Sequence, residues 1–212
     1  MKEYTKIETV YSRAEDGTKK LIDGSFRNKA VQYLANNNWI CTEKIDGTNI
    51  GVVWDGQKVT FQGRTEKAQV PMHLFEYLVR TFSSSQTEEL FEQLFGEKQV
   101  ILFGEGYGQK IQNGHLYLPH ECSFILFDVY MVDSDLWLER DNIEQIAKTF
   151  GIDVVPIIMT GTLYEAIEFV KTKPKSTIGI AAMEGLVCKP EVDMLDRQGK
   201  RIIVKVKVKD FC

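Results

Sequence analysis

The sequence predicts an α+β fold with mixed, mostly antiparallel sheets and flanking helices. Short β-prone runs occur along much of the chain, and two of them are joined by Asp55-Gly56, a pair typical of a hairpin turn. Segments with helical apolar spacing stand between these runs. With 212 residues, of which 43% are hydrophobic, the chain is long enough to bury one large core. We therefore expect a single domain over residues 1–212.

Five segments have the amphipathic spacing of helices. The first stops at Asn36-Asn37-Asn38, and two others stop at Gly96 and Gly151, the residue type that most often follows a helix end. Ser83-Ser84-Ser85 is predicted to connect the second helix to the third. The predicted helices cover residues 27–36, 72–82, 87–95, 141–150 and 163–171.

Eight runs have the composition of strands. Those at 100–105 and 124–132 are almost continuously apolar, which predicts burial on both faces. The predicted strands cover residues 39–44, 50–54, 58–64, 100–105, 124–132, 154–159, 186–189 and 202–209.

Composition, charge and cysteine spacing argue against several classes of protein. No stretch approaches the roughly 20 apolar residues of a membrane span, and the first residues lack the apolar run of a signal peptide, so we expect a cytoplasmic protein with no membrane partner. The net charge of −4 argues against coating of nucleic acid by bulk electrostatics, although residues 171–212 carry 10 Lys/Arg and only 5 Asp/Glu. The four cysteines, Cys41, Cys122, Cys188 and Cys212, show no CxxC spacing. The sequence therefore suggests neither a zinc site nor a disulfide framework.

Residues 43–49 (EKIDGTN) are the most informative stretch. Lys44 leaves a predicted buried strand and enters a turn that contains Gly47, with the carboxylate of Asp46 two residues on. Taken alone, this stretch is equally consistent with a plain hairpin turn, because Asp-Gly is a common turn pair.

Three further segments place charged groups beside apolar strands. Glu105 lies among three glycines, where backbone can approach a ligand closely, unless the segment is a plain loop. Asp128 follows Phe127 within an apolar run and needs a partner, because a buried unpaired carboxylate is costly; it is otherwise a satisfied core residue. Glu184 and Lys189 flank a short apolar strand.

The last segment is strictly alternating. Lys205, Lys207 and Lys209 are separated by valines, so a strand would project all three lysines from one face. The alternative is a solvated edge strand, because lysines commonly protect sheet edges.

Taken in order, these segments resemble the signature of the covalent nucleotidyltransferase superfamily, which contains ATP-dependent DNA ligases, RNA ligases and mRNA capping enzymes. Asn49, where DNA ligases and capping enzymes usually have Arg, and the segment 103–114 resemble the RNA-ligase group typified by the second RNA ligase of phage T4. The matching motifs are KIDGTN at 44–49, GRTE at 63–66, FGEG at 103–106, FDVY at 127–130, EGLVCK at 184–189 and KVKVK at 205–209.

The resemblance implies the ATP-grasp-like nucleotidyltransferase fold of ligase adenylation domains. Two departures are present. The phage enzyme has His where Asp46 stands, although Asp is the usual superfamily residue. RNA ligases of this group normally continue into a C-terminal domain and DNA ligases into an OB-fold, whereas only three residues follow Lys209 here. We therefore expect a single adenylation domain with no C-terminal OB or helical domain.

The resemblance also implies a mechanism. Lys44 would attack the α-phosphorus of ATP to give lysyl-AMP, with Asp46 in the catalytic motif. A lysine at its reference pKa of about 10.4 is protonated at neutral pH and cannot attack phosphorus. Lys205 and Lys207 would lower that pKa and bind the phosphates of ATP. Mg²⁺ (or Mn²⁺) is implied as the metal, with Glu184 acting at it.

The remaining roles come from the same resemblance. Glu105 would bind the ribose hydroxyl and Phe127 would stack on adenine, with Glu43 as a further nucleotide-binding residue. Arg64 would contact the ribose or the phosphate of the polynucleotide end. Asp128 would organise the site, Lys189 would contact the nucleotide phosphates, and Asn49 would act in the nucleic-acid steps.

The predicted function is an ATP-dependent RNA ligase that transfers AMP from Lys44 to a 5′-phosphate and seals with a 3′-hydroxyl. Two alternatives stay open: a DNA ligase or capping-type nucleotidyltransferase domain, and a non-catalytic module that binds nucleic-acid ends. The expected partners are RNA or nicked-duplex ends and a separate nucleic-acid-binding domain or protein. We expect a monomer from a bacterial or phage-infected cell, with a role in RNA repair.

Overall fold

The computed structural model describes residues 2–65 and 68–212, so Glu66 of the GRTE motif lies outside the described residues. The chain divides into two compact units. Unit 1 is Asp46–Val155 with the N-terminal residues up to Tyr4, and unit 2 is Thr5–Ile45 with Pro156–Cys212. Each unit has its own hydrophobic core. That residues 1–212 act as one adenylation domain stays a prediction.

The elements confirm the predicted α+β class. The helices are α1 (Lys29–Leu34), α2 (Met72–Phe82), α3 (Ser85–Phe95), α4 (Arg140–Phe150) and α5 (Leu163–Lys171), with 3₁₀ turns at Gly114–Leu116 and Val208–Phe211. The strands are β1 (Glu8–Thr9), β2 (Tyr11–Arg13), β3 (Leu21–Phe26), β4 (Trp39–Glu43), β5 (Thr48–Trp54), β6 (Val59–Gly63), β7 (Val100–Gly108), β8 (Cys122–Met131), β9 (Leu136–Trp137), β10 (Asp153–Val154), β11 (Ile157–Gly161), β12 (Gly185–Pro190) and β13 (Val204–Lys207). No helix in the described part of the chain is long and apolar enough to cross a bilayer.

Unit 1 is built on a six-stranded sheet. Its strand order is β10-β8-β7-β5-β6, and β9 pairs with β8. The β5–β6 hairpin turns at the predicted Asp55-Gly56. Helix α2 buries Leu74, Leu78 and Phe82 in the core of this unit. Because β7 and β8 are the inner strands, their nearly continuous apolar runs are buried, as predicted.

Unit 2 is built on a five-stranded sheet with the order β1-β13-β12-β4-β11. Strand β1 runs parallel to β13, and the other pairs in this sheet are antiparallel. Helix α5 begins with a capping box between Thr162 and Glu165. It then buries Leu163, Ile167 and Val170 in the same core as Trp39. The sheet of unit 2 therefore has one covered face and one face available for charged side chains.

Two strand predictions were wrong. The predicted strand at 154–159 is two strands in different units, β10 and β11, interrupted at Pro156, which has no N–H to donate to a ladder. The predicted strand at 202–209 ends at Lys207, because its neighbour β12 begins opposite, at Gly185. Lys209 therefore lies in a 3₁₀ turn and not on the strand. The edge-strand alternative is also wrong, since β13 lies between β1 and β12.

Candidate functional site

Three neighbouring strands of unit 2 bring Lys44, Glu184 and Lys207 together. The N–H of Lys44 donates to the carbonyl of Gly185 at 2.9 Å, and Gly185 is in register with Lys207. Gly185 has φ +152°, and a Cβ there would lie 2.1 Å from the carbonyl oxygen of Val206. Only glycine permits this close approach, which aligns the ends of β4, β12 and β13.

Glu184 forms ion pairs with both lysines. Its Oε2 lies 2.6 Å from Nζ of Lys44, and its Oε1 lies 2.5 Å from Nζ of Lys207. The three side chains are 23%, 15% and 15% exposed for Lys44, Glu184 and Lys207. Burial opposes ionisation of Glu184, but the ammonium groups of Lys44 and Lys207 outweigh it and hold the pKa of this carboxyl below its usual range. The triad is thus an ionised cluster in partly buried surroundings.

The triad changes the expected electrostatics of Lys44. The motif predicts that Lys207 raises the positive potential at Lys44, whereas the carboxylate of Glu184 lies between the two ammonium groups and offsets that potential. An ammonium that donates to a carboxylate has no lone pair for attack. In this arrangement Nζ of Lys44 is held by the carboxylate of Glu184.

Glu43 and the remaining lysines lie on opposite faces of the unit 2 sheet. Lys205 is in register with Val187, which puts Lys189, Lys205 and Lys207 on one face. Glu43 is 1% exposed on the other face, together with the core. Its carboxylate accepts hydrogen bonds from Ser176 Oγ at 2.5 Å and from the N–H and Oγ1 of Thr177 at 2.9 and 2.5 Å. Glu43 therefore holds the loop after α5 against β4.

Unit 1 positions Phe127 by a bulge. Phe103 is in register with Asp128 and Gly104 with Leu126, so Phe127 is the extra residue on β8. A bulge re-aims the extra side chain out of the regular alternation. Phe127 is half-buried, and the ring of Tyr4 packs edge-on against it with 5.0 Å between centroids. The bulge thus explains how a strand within the sheet presents an aromatic ring.

Asp128 has the partner that its burial requires. It is 0% exposed, and the hydroxyl of Tyr4 donates to its Oδ2 at 2.5 Å. The expectation that a buried Asp128 needs a partner is met by Tyr4, whereas its role in organising the site stays a prediction. Asp128 thus supports the bulge next to it rather than facing solvent.

Other predicted residues of unit 1 surround the β5–β7 ladder. Asn49 is in register with Glu105, so their side chains are cross-strand neighbours. The Oδ1 atom of Asn49 is buried and has no hydrogen-bond partner among residues 2–65 and 68–212. Asp46 accepts a hydrogen bond of 2.7 Å from Nδ2 of Asn113. Arg64 is exposed just beyond β6. A buried amide oxygen without a donor fits a site that a ligand completes.

Comparison with known proteins decides the family. The family model for RNA ligase matches residues 37–207, which is most of the chain and includes the motifs described above, apart from the last two residues of KVKVK. The chain belongs to the RNA ligase family.

Solved RNA ligases from Naegleria gruberi share this family member's fold. A mutant without ligand is 20% identical with a TM-score of 0.66, over 96% of this chain and 54% of that one. A mutant with ATP and Mn is 21% identical with a TM-score of 0.67, over 98% and 56%. A mutant with AMP and Mn is 19% identical with a TM-score of 0.68, again over 98% and 56%. This RNA ligase family member thus spans about half the length of these structures.

Several groups at the site of this RNA ligase family member were not predicted from sequence. They are the donor Tyr4 to Asp128, the partner Asn113 of Asp46, and Ser176 with Thr177 on Glu43. Each is a polar residue far along the chain from the group it contacts. The burial of Asp128 indicated that a donor must exist, but nothing in a single sequence indicates which of the tyrosines, serines or threonines it is.

Proposed function

We propose that this chain is an ATP-dependent RNA ligase that forms lysyl-AMP at Lys44, transfers AMP to a 5′-phosphate and seals with a 3′-hydroxyl. The observation that carries the proposal is the triad of Lys44, Glu184 and Lys207 at the aligned ends of three strands, within a chain of the RNA ligase family. Naegleria gruberi RNA ligases solved with ATP or AMP and Mn support the choice of nucleotide and metal.

The first step is attack by the Lys44 amine on the α-phosphorus of ATP. The N–P bond forms, the bond from the α-phosphorus to the bridging oxygen breaks, and its electron pair leaves with pyrophosphate. The proton of Lys44 must be lost beforehand, which requires release of Nζ from Oε2 of Glu184, now 2.6 Å away. Lys205 and Lys207 then stabilise the negative charge on the phosphates.

Glu184 is the residue proposed to act at the metal. Carboxylate oxygens are the ligands that Mg²⁺ and Mn²⁺ prefer, so its chemistry fits, although both oxygens accept from lysines in this structure. No cluster of three or more His, Cys, Asp or Glu side chains that could hold a metal occurs in the described residues. When bound, the metal neutralises charge that develops on the leaving pyrophosphate.

The other roles are assigned by resemblance and supported by placement. Phe127, re-aimed by the bulge, would stack on adenine, and Glu105 would bind the ribose hydroxyl. Asn49, with its unpartnered amide oxygen, would act in the nucleic-acid steps, and Arg64 would contact ribose or the terminal phosphate. The catalytic role of Asp46 rests on the motif.

Glu43, Asp128 and Lys189 also have roles assigned by resemblance, and the first two are buried. Glu43 and Asp128 are 1% and 0% exposed, so we propose that they act through the groups they position, the loop at Thr177 and the ring of Phe127. Lys189 is half-buried on the same sheet face as Lys205, which is consistent with a phosphate contact.

We also propose the nucleic-acid partner and the biological role of the chain. The proposed nucleic-acid partner is RNA or nicked-duplex ends, as the RNA ligase family suggests, with a separate nucleic-acid-binding domain or protein as a further proposed partner. The resemblance of Asn49 and the segment 103–114 to the group of the second RNA ligase of phage T4 supports a proposed role in RNA repair.

The decisive experiment is intact-mass measurement after incubation with Mg²⁺ and either ATP or GTP. We expect one AMP adduct with ATP alone, lost in Lys44→Ala and retained in the control Lys58→Ala, an exposed lysine next to the β5–β6 turn. A GMP adduct would assign the chain to the capping class. No adduct from either nucleotide would favour a module that binds nucleic-acid ends without catalysis.

If AMP is taken up, sealing assays decide the polynucleotide. We expect joining of 5′-phosphorylated RNA ends, and Lys44→Ala should still join preadenylated ends because that step no longer needs the lysine. Equal or better sealing of nicks between DNA strands would move the chain to the DNA ligase alternative.

A further inference from the structure

A loop of unit 1 holds the motif residue Asp46, although none of the roles described above is assigned to that loop. It covers residues 109–117, between β7 and β8, and its Asn113 donates from Nδ2 to Oδ2 of Asp46 at 2.7 Å. The hydroxyl of Tyr117 accepts a long hydrogen bond of 3.4 Å from the backbone N–H of Asp46. The same loop therefore contacts both the carboxylate and the backbone of Asp46.

The loop itself is fixed by packing within unit 1. Tyr117 is 7% exposed, and its ring packs edge-on against Tyr107 of β7 with 5.9 Å between centroids. Ile111 belongs to the core of this unit. Nε2 of His73, on α2, donates to the carbonyl of Gln109 at 2.8 Å, because a carbonyl oxygen can only accept. The exposed asparagine of the loop is thus presented from a support that is anchored at its start, middle and end.

The backbone just before Asn113 adopts an unfavourable conformation. Lys110 and Gln112 have φ +61° and +48°, the left-handed region that disfavours residues with a Cβ. Such residues persist where the surrounding structure holds them, and they are frequent at functional sites. Support comes from the close packing of Gly114, where a Cβ would lie 2.4 Å from the backbone nitrogen of Gly108. The loop therefore keeps a strained path that sets the position of the asparagine.

The chain on the other side of the contact is fixed as well. A Cβ at Gly47 would lie 2.3 Å from the carbonyl oxygen of Gly106 and 2.9 Å from Cγ of Glu105, so the turn after Asp46 lies directly against β7. With the backbone held there, rotation of its side chain is the main freedom left to Asp46. An ionised carboxylate only accepts and the amide nitrogen of Asn113 only donates, so their hydrogen bond restricts that rotation.

We infer that Asn113 is a positioning residue for lysyl-AMP formation, because it holds the carboxylate of Asp46 in the orientation that the reaction uses. The inference rests on the proposed function, in which Asp46 has a catalytic role, and extends it to a residue outside the motifs. In this role Asn113 makes no contact with ATP. Its loss should therefore slow lysyl-AMP formation without changing the ATP concentration that gives half the maximal rate.

The kinetic test compares two substitutions of Asn113. Asn113→Ala removes the donor and should lower the maximal rate of lysyl-AMP formation about tenfold, which corresponds to about 1.4 kcal/mol. Asn113→Asp keeps the size of the side chain but places a second carboxylate against Asp46, so repulsion should lower the rate further. If Asn113 only filled space, the order would be reversed, because Asp replaces its volume better than Ala does. Half-maximal ATP should equal the wild-type value in both variants.

The matched controls are Asn142→Ala and Asn142→Asp. Asn142 is an exposed asparagine on α4 in the same unit, and both variants should react at the wild-type rate. Wild-type rates in the two Asn113 variants would overturn the inference, as would a slower reaction in Asn113→Ala than in Asn113→Asp. A higher half-maximal ATP concentration at an unchanged maximal rate would make Asn113 a nucleotide contact and would also overturn it.

Urea unfolding at pH 7 tests the contact without using activity. Asn113→Asp should lower the unfolding midpoint, and adding Asp46→Asn should restore it, because the amide and the carboxylate are then exchanged and the hydrogen bond can re-form. Midpoint changes that simply add would show that the two side chains do not interact, which overturns the inference whatever the adduct experiment shows. If the midpoint is restored but the wild-type chain forms no adduct, the failure lies in the ligase proposal, and the inference falls with it although the contact is real.

Discussion

Replacing Glu184 by Gln tests the central ion triad. The substitution keeps the size of the side chain and removes the charge that Lys44 and Lys207 share at 2.6 and 2.5 Å. Both ion pairs are lost, because the amide oxygen of Gln can accept from only one ammonium group and its NH2 cannot accept from the other. Two ammonium groups are then left near each other in a site where the side chains are 15–23% exposed. Loss of one partner from a largely buried pair costs roughly 3–5 kcal/mol. Because this site keeps some contact with water, we expect a decrease of about 3 kcal/mol in the free energy of unfolding at pH 7.

The pH dependence of that difference has a defined sign. The pKa of Glu184 is lower in the folded protein than its ordinary value of 4.5. The stabilisation is therefore complete above pH 4.5 and is lost as the pH falls through the lower folded pKa. Urea unfolding of wild type and Glu184→Gln at pH 7, 5 and 3 should show a difference that is equal at the first two values and smaller at the third.

The control for this prediction is Glu168→Gln. It removes the carboxylate of the surface pair between Glu168 and Lys171, where Glu168 is 71% exposed, and it should leave stability nearly unchanged. The argument about the triad would be refuted if Glu184→Gln were as stable as wild type at pH 7. If the difference in unfolding free energy did not shrink at pH 3, the ionised carboxylate of Glu184 would not be its cause.

Three further predictions follow from single contacts. Gly185→Ala should abolish lysyl-AMP formation and lower the melting temperature, because its Cβ would lie 2.1 Å from the Val206 carbonyl; normal activity would contradict the alignment of β4, β12 and β13. Tyr4→Phe should lower the free energy of unfolding in urea by about 1.5–3 kcal/mol, the value of a hydrogen bond to a charged group, and an unchanged midpoint would show that Asp128 does not depend on it. Phe127→Ala should raise the ATP concentration for half-maximal adenylation about tenfold, the scale of a lost stacking contact, whereas Phe127→Tyr should not; equal effects would argue against stacking.

The sequence anticipated most of the local structure. Helices α2 and α5 have the predicted bounds, and the β5–β6 hairpin turns at the predicted Asp55-Gly56. These elements are set by apolar spacing, capping and turn chemistry, all of which are local in the chain. The two wrong strands had tertiary causes. The run at 154–159 changes sheet at Pro156, and β13 ends where its neighbour begins at Gly185, and neither boundary is determined by the residues of the run itself.

For the motif residues too, the sequence indicated the residue types, whereas the tertiary structure decided the contacts. The sequence and its family resemblance predict Lys44, Glu184 and Lys207 as site residues, but they did not show that Glu184 lies between the two lysines. It also placed Glu43 and Lys44 side by side in a motif, although Glu43 lies on the core face of the sheet and binds Ser176 and Thr177. Alternation along a strand separates adjacent residues, and the role of each depends on what the other strands bring to that face.

What the sequence determined by itself is the α+β class, the order of the motifs and the family, since these depend on residue type and order alone. Only the tertiary structure decided which distant side chains meet: Tyr4 with Asp128, and the N-terminal Lys6, Arg13 and Arg27 with the lysines of β13. The physical reason is that pairing of β1 with β13 joins segments almost 200 residues apart, and burial selects the partner of Asp128 by geometry. Neither contact leaves a local pattern in the chain.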